Sequence, residues 1–425
     1  MKKLASLLLA LLFLALPLFT ACQNALPSPS ETAPGADGTK LAGKPLGERI
    51  DLKTGSLSEE FVRGEAAFAL DLYRKFYQEV GKNALVSPLS VSVALAMTAN
   101  GAKGETKKQL ETLLCAGMDT DTLNTQLTAY ITSLANSEKA TLKAADSVWY
   151  AEDVLTPDQN YLNLLGSYYA AEVRKIDRSL AKPEQPVNDW VKKKTDGMIP
   201  SILSDGTINE YTTMILVNAL SFIAEWQIPS KQTYKGTFTC SDGTKKTLSF
   251  FKTSLESGFI QGERETGFVK RYAGETYAFL ALLPNEGISL SDYLASLDGE
   301  TYLALVNGVQ DRDVIRIMPE FTADSSASLV KILKTLGVTD AFEPDGADFS
   351  GIGASKVGAL FVNEILHKTH IEVTKDGTKA AAVTQVGFYG ATAVPPPTVA
   401  LDRPFVYAII DTATGLPIFF GCFEG

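Results

Sequence analysis

The sequence predicts one large α+β domain built on large, mainly antiparallel or mixed β-sheets. Strand-like runs and helix-period runs interleave along the chain without a regular βαβ repeat, which argues against a doubly wound parallel sheet. No linker-like stretch interrupts residues 58 to 425, so the 425-residue length reads as one body rather than two or three. A hydrophobic fraction of 45% against a charged fraction of 21% supplies a core for a body of that size.

Residues 1–22 read as an export signal. Lys2 and Lys3 give the positive start, Leu4 to Leu18 the apolar run, and Phe19-Thr20-Ala21-Cys22 the end. Small residues before a cysteine resemble a bacterial lipobox, with Cys22 as the lipidated residue, although Phe19 stands where Leu, Val or Ile is usual. The expected location is the outer face of a bacterial membrane or cell surface, held only through the lipid; the alternative is plain secretion. Residues 23–50, rich in Pro, Gly and Ser, read as a flexible tether, and residues 51–425 as the folded domain. Within the tether, Gly38 to Pro45 has the spacing of a phosphate-binding loop, but Pro45 replaces the required Ser or Thr.

Ser58, followed by Glu59, Glu60, Phe61, Phe68, Leu72 and Phe76, predicts an N-capped amphipathic helix stopped by Gly81. Ser87 and Pro88 suit the cap and first position of a second, largely buried helix running to Met97. Strand-like runs follow at Lys143–Tyr150, Thr213–Phe222, Phe238–Phe251, Gly267–Tyr272, Ala278–Leu283 and Val314–Phe321. Leu329–Leu336 has helical spacing and closes at Gly337, and Phe361–Val373 again reads as a strand.

The stretch Lys375–Pro397 is too long for a hairpin turn and too apolar for an ordinary surface loop. Its residues alternate with period two. Thr378, Ala380, Ala382, Thr384, Val386 and Phe388 form one set, and Lys379, Ala381, Val383, Gln385, Gly387 and Tyr389 the other. On a strand the first set would face a core and the second water. The pattern fits either an Ala-rich hairpin tip or a loop able to become a strand.

Several chemistries are excluded or disfavoured. The net charge of −10 and the lack of a long basic run argue against a nucleic-acid partner. His367 and His370, the two histidines, are an odd number of positions apart on a strand and point to opposite faces, which disfavours a shared metal site. No G-x-S-x-G nucleophile motif occurs. Cys22, Cys115, Cys240 and Cys422 lack zinc-site spacing, and the last three read as isolated thiols. No metal or cofactor is expected.

Gly377-Thr378-x-Ala380-Ala381-Ala382-x-Thr384 resembles the hinge of the serpin reactive-centre loop. His367 to Val373 resembles the strand leading into it, and Arg403-Pro404-Phe405-Val406 and Phe420-Gly421 the strands that follow it. The resemblance continues upstream in order, through Asn83 to Met97, Val187 to Ile199, Thr213 to Phe222 and Asp348 to Ile352. It implies a serpin fold, with a large central sheet, further sheets, about eight to nine helices and an exposed reactive-centre loop.

It further implies a protein that performs no catalysis of its own and inhibits serine proteases irreversibly, as a suicide substrate. The cleaved loop would insert into the main sheet through the hinge residues Gly377, Thr378, Ala380, Ala381, Ala382 and Thr384. Ser87, Ser90, Asn218 and His367 match a buried polar cluster at which the sheet opens. Trp226 matches the tryptophan where the loop first enters, and Asp146 stands where serpins usually carry Asn.

Counting from Gly377 puts the reactive bond at Ala391–Thr392; counting back from Pro404 favours Ala393–Val394. No Lys or Arg occurs from Ala380 to Asp402, so the expected partners are proteases of small or aromatic primary specificity, not trypsin-like ones. A monomer is expected. The alternative is a non-inhibitory serpin acting as a surface binding protein, whose usual marker is bulky or charged residues or proline at the inward hinge positions. Thr378, Ala380, Ala382 and Thr384 carry none of these.

Overall fold

The computed structural model describes residues 57–135, 139–253, 255–378 and 395–425. The leader with Cys22, the tether, the hinge beyond Thr378 and both alternatives for the reactive bond lie outside them, as do the side chains of Cys115 and Asn218.

Helix α1 (Glu59–Val80) starts where Ser58 Oγ accepts the amide of Phe61 at 3.1 Å and ends at Gly81, whose φ of 84° suits glycine. Strand β1 (Leu85–Val86) leads into α2 (Pro88–Ala99), capped by Ser87. Then come α3 (Gly104–Leu113), α4 (Thr120–Ala135), β2 (Ala140–Tyr150), β3 (Leu155–Pro157) and α5 (Gln159–Tyr169). β4 (Glu172–Lys175), α6 (Gln185–Lys194) and β5 (Met214–Glu225) follow. The middle of the chain is a run of strands: β6 (Thr233–Thr239), β7 (Lys245–Lys252), β8 (Glu256–Gln261), β9 (Glu265–Arg271) and β10 (Tyr277–Pro284). After α7 (Leu290–Ser296) and α8 (Gly299–Asn307) come β11 (Gln310–Pro319), β12 (Phe321–Ser328) and α9 (Val330–Thr335). The C-terminal part holds β13 (Gly353–Ser355), β14 (Leu366–Val373), β15 (Gly377–Thr378), β16 (Thr398–Ala400), β17 (Phe405–Asp411) and β18 (Pro417–Phe423).

The strands form a six-stranded sheet in the order β12-β14-β15-β5-β2-β4, a ten-stranded sheet and a two-stranded one. The six-stranded sheet is antiparallel except for the parallel pair β2 and β4, which makes it mixed. Side chains of β5 alternate between two cores. Leu220, Phe222 and Ala224 join the main one, to which α1 and α2 belong, while Val217 and Ala219 join Trp149 and the α6 residues Val187, Trp190 and Val191. The sheet is thus covered on both faces. α2 is buried along almost its whole length, as its run of apolar residues predicts.

Three elements differ from the sequence reading. The run Phe238–Phe251 is two strands joined by a turn, and Val314–Phe321 is divided between β11 and β12. The strand expected over Phe361–Val373 begins only at Leu366, because its partner β12 ends at Ser328, where the chain turns into α9.

Candidate functional site: a strand slot with its first pair in place

β5 pairs with β2 along its whole length on one side, from Met214 with Tyr150 to Ala224 with Ala140. On its other side, among the described residues, only Ala224 and Glu225 are paired, with Thr378 and Gly377 of β15. β14 likewise pairs with β12 on its outer side and, towards β5, only through Val373 with Thr378. No ladder joins β14 directly to β5 among the described residues. This seam, the slot, has no ladder across it, yet β14 and β5 lie closer together than the about 9–10 Å that an intervening strand takes up, so a further strand can enter only if the two part. Below β15 the slot widens into a cavity of about 540 Å³ between Met214–Val217 and residues 359–366, also lined by Ala94 and Thr98 of α2.

At the head of the slot, β14 and β15 form a hairpin. The amide of Thr374 donates to the carbonyl of Gly377 at 2.9 Å, closing the turn Thr374-Lys375-Asp376-Gly377. Gly377 has φ 152°, a region that residues with a Cβ rarely enter. Trp226 holds this turn from outside. Its amide donates to Asp376 O at 3.0 Å and its indole Nε1 to Thr374 O at 2.9 Å, while Ser230 N donates to Lys375 O at 2.9 Å. Thr378 is fully buried, and its Oγ1 shares a 2.7 Å hydrogen bond with the hydroxyl of Tyr272, whose ring stacks on Trp226. The Lys375 ammonium bonds both oxygens of Asp376 and, among the described residues, makes no ion pair with a distant side chain.

Beneath the sheet, Ser87 N donates to His367 Nε2 at 3.0 Å, Ser87 Oγ to the carbonyl of Ile418 at 2.7 Å, and Ser90 N to Ser87 Oγ at 3.3 Å. The sequence-predicted cluster of Ser87, Ser90 and His367 is therefore brought together. Asn218 lies on β5 opposite Asp146, across one strand pair. Burial of His367 pushes its imidazole down to about 4, so the ring is neutral and carries its proton on Nδ1. His370 points the other way and bonds the Asp324 carboxylate.

Cys240 and Cys422 are buried free thiols. Among the described residues no group of three or more potential ligands could hold a metal ion, and no helix is long and apolar enough to cross a membrane.

Sequence reasoning missed Tyr272 and Lys270. The available signal was a lysine between Phe268 and Tyr272 on the strand face that those two aromatic residues share.

A large mixed sheet with an unladdered seam, headed by a short strand pair from the chain's own C-terminal loop, is the arrangement to set beside known proteins. Residues 63–424 match the family model of the serpins, described as serine protease inhibitors. Serpin B6 of Pongo abelii is 29% identical over 368 residues, covering 84% of this chain and 97% of that protein. Plasminogen activator inhibitor 2 of Homo sapiens is 26% identical over 415 residues, covering 86% and 99%. The native-state structure of the thermophilic serpin tengpin superposes with a TM-score of 0.84 at 37% identity, covering 92% of this chain and all of that one. The chain belongs to the serpin family.

Proposed function

We propose that this serpin is an irreversible suicide-substrate inhibitor of serine proteases with small or aromatic primary specificity. The carrying observation is the closed hairpin at the head of the seam between β14 and β5, across which no ladder runs among the described residues. A protease attacks the carbonyl of Ala391, or of Ala393 in the longer count, and forms the acyl-enzyme of ordinary hydrolysis. Breaking the bond frees the loop to continue from Thr378 as a strand between β14 and β5. The small inward residues Ala380, Ala382 and Thr384 fit beneath it without displacing neighbours. Ladder bonds on both edges, each worth about 0.5–1.5 kcal/mol net, sum to on the order of 10 kcal/mol, enough to distort a domain of ordinary stability. The protein acts once and is consumed. Lipid attachment at Cys22 would confine this activity to the outer face of the cell.

Protein lacking residues 1–22 should give a boil-resistant band at the summed mass with elastase, chymotrypsin or subtilisin on a denaturing gel, and none with trypsin. The first residue of the released C-terminal peptide then distinguishes Thr392 from Val394. Clean cleavage by all three enzymes without a complex would sink the proposal.

A further inference from the structure

Behind the head of the slot lie three charged side chains that the slot itself does not use. Lys270 on β9 and Arg316 on β11 are fully buried, and Glu256 on β8 faces both. The Lys270 ammonium donates to Glu256 Oε1 at 3.1 Å and to the carbonyl of Ile228 at 2.9 Å, and lies 5.1 Å from the centre of the Trp226 ring. Arg316 Nη2 donates to the carbonyls of Ser257 and Val269, while Nη1 makes no hydrogen bond and stands 4.0 Å from Glu256 Oε2. Burial pushes Lys270 down to about 8, as expected for an ammonium withdrawn from water. An apolar side chain of similar size would fill this space without that cost.

What Lys270 ties down is the segment Trp226–Ser230. That segment carries the three N–H donors that grip the turn Thr374–Asp376. The same strand carries the lysine and leads directly into Tyr272, which bonds Thr378. We propose that Lys270 is a positioning residue for loop insertion: by fixing Ile228 and the Trp226 ring, it keeps those donors on the hairpin and the Thr378–Ala224 pair closed. The inference rests on the insertion reading above. Loosening the grip leaves the first pair frayed, and each new strand must then wait for that pair to re-form. Insertion slows relative to hydrolysis of the acyl-enzyme, and more inhibitor is cleaved without trapping.

The test uses Lys270→Met combined with Glu256→Gln, so that no carboxylate is left stranded. Trp226→Phe, which removes the indole donor while keeping a ring, reaches the same turn by a second route. The readout is the split between the association rate constant with the protease trapped by wild type and the number of inhibitor molecules consumed per enzyme. We expect association to stay within about twofold and the consumption beyond one-to-one to rise about three- to tenfold, the factor that one lost hydrogen bond brings. Combining the variants should add little, because both act on one turn. A variant that melts earlier yet consumes no more inhibitor would show a merely structural lysine and overturn the inference alone. Wild type that traps no protease would overturn the insertion reading and this inference with it.

Discussion

His367 holds the floor of the slot through one acceptor lone pair. Neutral, its Nε2 receives the Ser87 amide; protonated, it cannot. Its value of about 4 lies below the ordinary 6.5, so the folded state binds the proton less well than the unfolded chain does. Its contribution is therefore fully present above pH 6.5 and is lost as pH falls through 4. Thermal melts should show a midpoint that declines between those values, and His367→Gln should flatten this part of the profile. An identical decline in the variant would place the proton elsewhere. His367 was legible in the sequence through the resemblance of His367–Val373 to the serpin strand that leads into the reactive-centre loop. Lys270 was not, because its partners Ile228 and Glu256 come from other segments and only the fold brings them together.

The hairpin of β14 and β15 is the element on which the proposed function turns. Its strand-like composition and its hinge pattern were both readable from Leu366 to Thr384. The start of β14 was not. Phe361–Ile365 shares the Phe-, Val- and Ile-rich composition of a strand but has no strand beside it, and strand identity depends on a partner as well as on composition. Local signals did better for α1, whose two ends are set by Ser58 and Gly81 within the helix's own sequence. For the same hairpin, Ala380→Arg puts a charge on the set expected to face the core, where burying it unpaired costs several kcal/mol. Elastase should cleave this variant as a substrate, with association little changed and complex yield reduced by an order of magnitude or more. Undiminished complex formation would rule out an inserted strand in this register.

At the scale of the whole molecule, the insertion proposal makes the intact protein a kinetically held state with a more stable alternative. Cutting the loop with an enzyme that does not become trapped should release that difference. If insertion contributes on the order of 10 kcal/mol, the cleaved protein should melt about 10–20 °C above the intact one, allowing for a chain larger than a small domain. A cleaved form that melts no higher would mean that the slot stays empty. The fold class was readable at this scale, since interleaved strand and helix runs without a βαβ period allow few architectures. The unladdered seam in the sheet was not, because it is a relation between β5 and β14, which lie far apart in the chain.

The pairing of Thr378 with Ala224 also sets an arithmetic for the loop. Once that pair is fixed, every later residue faces in or out according to whether its distance from Thr378 is even or odd. One residue added directly after Thr378 would carry Ala380, Ala382 and Thr384 to the outer face and move Lys379 to the inner one. Two added residues would restore the order. Changes in the length of this hinge should therefore be tolerated in even steps and punished in odd ones, whatever residues are added.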